Sequence, residues 1–427
     1  MSLCWRSRDW HDLQHPRSWR HYPAHCIPFG HHRVCDRPKR NRRKASEATG
    51  GKRKEVGPPT GTAEALHSGA GNRRSVGTTV GGPARDDAVQ LEPALSGSRV
   101  FAASADGNIM AVATGDGDVL WSVDVLSFYD EEELDTAFSP RADVITGGVG
   151  LGADLVLVGT SAGDMVALNQ SDGSLAWRTR MTSEILAPPQ ADRSIVVAHT
   201  IDGRVTGHDV LDGSRQWMYT VSIPSLTIRG TATPLMLGEM VIAGFSNGRV
   251  VGLNKRTGVP MMDQRVAAAK GKSDLEKLID IDGDMVTSGP VLFVVSFQGN
   301  VVAINTQNGR ILWARQASSA LGLAAGFWNI YLVSEDDHVI AMNEQNGENA
   351  WRNESLKNRD LSPPVTVSSF VVVSDYKGVM HVLAQTDGRF VARKRVDNHG
   401  MRAPVLADGN RMYAMGNSGR LYALEIR

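Results

Sequence analysis

A glycine-centred turn that returns along the chain constrains this sequence more than any other feature. Its first glycine or equivalent stands at Gly107, Gly163, Gly203, Gly248, Gly299, Asp337, Gly378 and Gly419, at intervals of 38 to 56 residues. In the first seven copies a second glycine follows ten residues later, at Gly117, Gly173, Gly213, Gly258, Gly309, Gly347 and Gly388. Four residues beyond that glycine comes Trp121, Trp177, Trp217, Trp313 or Trp351, with Met262 and Ala392 in the other two copies. Pro93, Pro189, Pro234 and Pro364 each stand fourteen residues before a first turn, where proline can open a strand without removing a ladder bond.

The stretch Ser296 to Trp313, SFQGNVVAINTQNGRILW, shows the unit most clearly. Gln298-Gly299 and Asn308-Gly309 bracket the apolar run Val301 to Ile304, and a second run ends at Trp313. The pattern predicts a three-strand meander, with a primed turn at Asn-Gly because both central residues tolerate positive φ. A short strand after the proline makes four antiparallel strands per copy. Two of the four are continuously apolar, which implies burial on both faces. Repeats of about 40 residues with four strands each predict an all-β, eight-bladed β-propeller. The recurrent indole is expected to pack between blades, where replacement by Ala costs roughly 3–5 kcal/mol.

The eighth copy ends at Arg427, before its second turn and fourth strand. Ring closure therefore requires a strand from upstream, and Ser75 to Gly81 is the candidate, a weak one with two apolar residues and no tryptophan. Residues 78–427 are assigned to the propeller and residues 1–77 to a tail without the periodicity needed to bury a face. Formal charge is zero over the whole chain, yet residues 1–90 are net +9 and the rest net −9. All three cysteines lie in the tail, so the propeller needs no disulfide and offers no thiol chemistry. The basic blocks at 37–44 and 52–54 do not make a nucleic-acid arm on their own, and Cys26 and Cys35 fit no zinc spacing. The tail lacks a signal peptide's apolar core, and it is expected to be disordered or a misassigned, out-of-frame translation.

The blade motif in ALNQSDGSLAW (167–177), AINTQNGRILW (303–313) and AMNEQNGENAW (341–351) resembles the tryptophan-docking repeat of pyrroloquinoline-quinone propellers. Three further segments, IPSLTIRG (223–230), LEKLIDID (275–282) and DGRFVARKRVD (387–397), resemble the BamB family of outer-membrane assembly lipoproteins. The resemblance runs in order over about residues 78–427. It implies a non-catalytic accessory subunit of the outer-membrane β-barrel assembly machinery, on the periplasmic side of the outer membrane and held there by a lipid anchor. The implied partner is the periplasmic part of the central barrel subunit BamA, with nascent outer-membrane proteins as a further partner; no cofactor, metal or nucleic acid is implied. At the partner contact it places Leu226, Ile228 and Arg229 in the first segment and Asp280 and Asp282 in the second. Both lie in long connections between blades, where binding residues gather on rigid scaffolds. No acylated cysteine in a lipoprotein context is visible at Cys4, Cys26 or Cys35.

Two rival readings are weaker. A quinone-dependent dehydrogenase would need sequence inserted between blades to build a chamber, and the vicinal cysteines and C-x-x-C-H haem site found in such enzymes are missing. A WD-type scaffold would end its blades in Trp-Asp, which none does. Asp280-Asp282-Asp284 begins like a calcium loop, but Met285 replaces the turn glycine and Val291 the bidentate glutamate.

Overall fold

The computed structural model describes residues 66–68 and 77–426, apart from 87, 139–142, 269–272, 274 and 277. Eight antiparallel sheets follow one another along the chain. In most junctions the innermost strand of one blade touches the innermost strand of the next, which arranges the sheets around an axis. Blade 5 holds the meander read from sequence: Val286–Ser288, Val291–Val295, Asn300–Asn305 and Ile311–Gln316. Pro93, Pro189, Pro234 and Pro364 each immediately precede an innermost strand.

The middle strands are buried on both faces, as their apolar runs require, and the core is divided between blades rather than held in one place. One cluster joins Phe293, Val301 and Trp313 of blade 5 to Ile330, Leu332 and Met342 of blade 6. The docking tryptophans fill these junctions. Each indole lies over the second-turn glycine of the next blade, where a β-carbon would stand 2.7 Å from Trp121 at Gly173, 2.5 Å from Trp177 at Gly213, 2.7 Å from Trp217 at Gly258, 2.6 Å from Trp313 at Gly347 and 2.4 Å from Trp351 at Gly388. Each indole N–H also donates to a carbonyl of that blade: Trp121 to Gln170 at 3.1 Å, and Trp177 to Val210, Trp217 to Lys255, Trp313 to Glu344 and Trp351 to Gln385 at 2.8 Å. The recurrence of Gly and Trp at fixed spacing is thus one contact written twice, as a ring and as the gap it occupies.

Neither turn of the opening stretch is primed. At the second turn only Gly309 has positive φ (68°), because Asn305 accepts from the backbone N–H groups of Gln307 and Asn308 and its carbonyl accepts from Gly309. One left-handed residue then suffices, and a bulge at Ala303/Ile304 takes up the extra residue. At the first turn Gln298, not Gly299, carries the positive φ (48°).

Closure follows the expected route and extends it. Gly77–Thr79 pairs antiparallel with Tyr422–Arg420, and the ring of Tyr422 covers Gly77. Leu66–Ser68 continues the same edge against Ile426–Leu424, so the boundary placed at residue 77 divides two strands that share one neighbour. The remainder of the expected tail lies outside the described residues.

Antiparallel alternation gives the ring two unlike faces. Turns between second and third strands, together with the connections between blades, open on one face. Turns between first and second and between third and fourth strands open on the other.

Candidate protein-docking site

The first of these faces carries a cleft of about 230 Å³ between blades 3, 4 and 5. Its wall is the connection from Thr220 to Leu235, held to blade 3 by the Val221 N–H donating to Gly203 O at 2.9 Å. The connection that enters blade 5 also lines it, and there Asp280 O accepts from Phe297 N–H at 2.8 Å. All five residues expected at a partner contact therefore belong to this one region, and each lines the cleft.

Glycine lets the two segments meet. A β-carbon at Gly230 would stand 2.9 Å from Asp282 Cγ, and one at Gly244 would stand 2.4 Å from Ile281 Cγ2. Leu226 and Ile228 are half-buried, and Ile223, Pro224 and Ser225 project from the rim. Asp280 is 1% exposed, and its Oδ1 accepts from Ile281 N–H at 2.9 Å. Its Oδ2 and both oxygens of Asp282 are shielded from solvent. Burial pushes the Asp282 carboxyl up to about 7, and burial followed by the charge of Asp282 raises Asp280 well above the usual carboxylate range. Burial thus biases the pair toward its neutral form. Such a pair is a poor calcium ligand, and Asp284 faces elsewhere, accepting from Thr233 N–H at 3.3 Å.

Arg229 is engaged within the molecule. Its Nη1 and Nη2 donate to Glu184 at 2.8 and 2.7 Å in a bidentate fork, and its Nε lies 2.8 Å from Asp86. Glu184 belongs to the connection entering blade 3 and Asp86 to the one entering blade 1, so one guanidinium pins three connections. Sequence reasoning missed Glu184 and Asp86. No local spacing links residues 86, 184 and 229, and only closure of the ring brings them together. The Arg229 side chain is 22% exposed.

Residues 131–353 match the sequence family described as outer membrane protein assembly factor BamB. The outer membrane protein assembly factor BamB of Pseudomonas aeruginosa is 42% identical over 79% of this chain and 84% of its own length. This chain belongs to the BamB family. The crystal structure of BamB from Moraxella catarrhalis superposes with a TM-score of 0.71 at 28% identity, over 82% of this chain and 100% of that one. The quinohemoprotein alcohol dehydrogenase of Comamonas testosteroni superposes with a TM-score of 0.65 at 12% identity, over 85% of this chain and 77% of that one, a likeness of fold alone.

Proposed function

We infer that the protein is a non-catalytic accessory subunit of the outer-membrane β-barrel assembly machinery, working on the periplasmic side of the outer membrane. Family membership supports this role. The docking site on this reading is the cleft of blades 3 to 5, and its partner is the periplasmic part of BamA. The supporting observation is convergence: two segments about fifty residues apart, each distinct from the blade repeat, line one cleft and meet where Gly230 lies against Asp282.

In this scheme the apolar rim of Ile223, Leu226 and Ile228 makes the contact, Arg229 holds the loop in place, and Asp280 and Asp282 line the cleft beside Gly230. A rigid, half-buried apolar loop loses little conformational entropy on docking, which favours it as a hot spot over a mobile one. The test is co-purification with the periplasmic domains of BamA. Replacing Ile223 and Leu226 together by Ser is expected to abolish co-purification while the thermal midpoint stays within a few degrees of wild type, because neither side chain belongs to a blade junction. Retention at the wild-type level would rule out this site.

A further inference from the structure

We propose that the face opposite the cleft rests on a lipid bilayer interface through the turn Phe327-Trp328. Phe327 is 57% and Trp328 is 74% exposed, the largest aromatic exposure among the described residues. Both have left-handed backbones, φ 49° and 62°, in a two-residue turn closed by Gly326 and Asn329. Large side chains adopt that conformation at a cost. Blades 1, 4, 5 and 8 place Gly97, Gly238, Gly289 and Gly409 at the first position of the same turn. Here two rings occupy strained positions while leaving more than half of their surface in solvent, so burial gives little return for the strain.

The rest of this face points the same way. Leu120, Leu211, Val259 and Leu312 stand at or just after its third-to-fourth strand turns, and all are exposed, Leu211 at 88%. Val119, Met261 and Ile311 beside them are exposed as well, so three of these turns each present a short apolar pair to solvent. Polar residues between them are mixed in sign, with Arg310, Glu344 and the Arg389–Asp387 pair near the aromatic turn, so no single charge is being recognised. Indoles favour the headgroup level of a bilayer because one end is apolar and the other can donate a hydrogen bond. A protein seated in the cleft leaves this face uncovered. The chain also enters the propeller from this side, since Leu66 pairs with Ile426 at the end of the strand that starts beside Gly419 on the cleft face. The proposal rests on the reading that the protein works at the outer membrane.

The experiment compares the wild type with Phe327→Asn/Trp328→Gly, whose Asn-Gly pair suits a primed turn. Sedimentation with phosphatidylcholine vesicles, with and without phosphatidylglycerol, reads partitioning. Brominated acyl chains read the depth of Trp328 from the difference in fluorescence between the two proteins. The wild type is expected to bind both vesicle types, with Trp328 quenched. The variant is expected to bind about tenfold or more weakly, roughly 1.4 kcal/mol, while its thermal midpoint is unchanged or higher. Equal partitioning of the two proteins, or a wild type that ignores vesicles, would overturn the proposal. Co-purification with BamA is expected to be equal for both, and its loss in the variant alone would mark this face as a protein contact and also overturn it. Failure of the wild type to co-purify, with vesicle binding intact, would refute the docking site and leave this inference standing.

Discussion

Charge reversal at Arg229 separates a residue that holds a loop from one that touches the partner. The fork to Glu184 is mostly shielded, with side-chain exposures of 22% and 10%, whereas Asp86 is 35% exposed. Exposed pairs contribute about 0–1 kcal/mol, and breaking a buried pair costs about 3–5 kcal/mol. The Glu184 arm lies between these limits, so Arg229→Ala is expected to cost roughly 2–3 kcal/mol. Arg229→Glu places a third carboxylate beside Glu184 and Asp86 and adds about 1 kcal/mol of repulsion. In a domain of this size the total corresponds to a fall in thermal midpoint of roughly 3–8 °C, with the eight-bladed ring intact and the 221–234 connection displaced. Co-purification with BamA is expected to be lost. The deciding protein is Arg229→Glu/Glu184→Arg, which rebuilds the fork with its charges exchanged. Recovery of most of the midpoint and a substantial share of co-purification is expected, because the loop is again held. A double variant that regains its midpoint but still fails to co-purify would refute the argument and make the positive charge itself the contact.

Trp313→Ala is expected to lose roughly 3–5 kcal/mol, since it empties the junction over Gly347 and leaves Glu344 O without its indole donor, and denaturant unfolding would measure the loss. Asp282 titrates near 7 in the folded protein and near 4 unfolded, so its contribution to stability is full below about pH 4 and is lost as pH rises through 7. Asp282→Asn is therefore expected to flatten the fall of thermal midpoint between pH 4 and 7, and an unchanged slope would count against the buried pair. Glu92, raised to about 8 first by burial and then by Asp284, continues the same trend, which Glu92→Gln should remove at its upper end. Deleting residues 1–80 exposes the edge of the last strand, Arg420–Ile426, and is expected to lower the midpoint and to promote self-association, detectable by light scattering.

The sequence by itself determined the architecture, because a repeat cannot bury its own apolar strands and must stack on copies of itself. Gly and Trp at constant spacing specified both halves of five blade junctions, and the missing fourth strand of the eighth copy specified where the closing strand had to come from. Turn chemistry was less legible. The Asn-Gly pair did not make a primed turn, since Asn305 supplies its own acceptors, and the turns with two left-handed residues formed instead at Ala153-Asp154 and Phe327-Trp328, which carry no glycine. The residues expected at a partner contact came from a family resemblance in segments that depart from the repeat, and their arrangement was not legible there. That Leu226 and Asp282 share a cleft, that Arg229 is already bound by Glu184 and Asp86, and that two shielded carboxyls lie beside Gly230 all depend on contacts across ring positions far apart in the chain. Local patterning sets what a blade is; only the closed ring decides which connections meet above it and which side chains are left facing out.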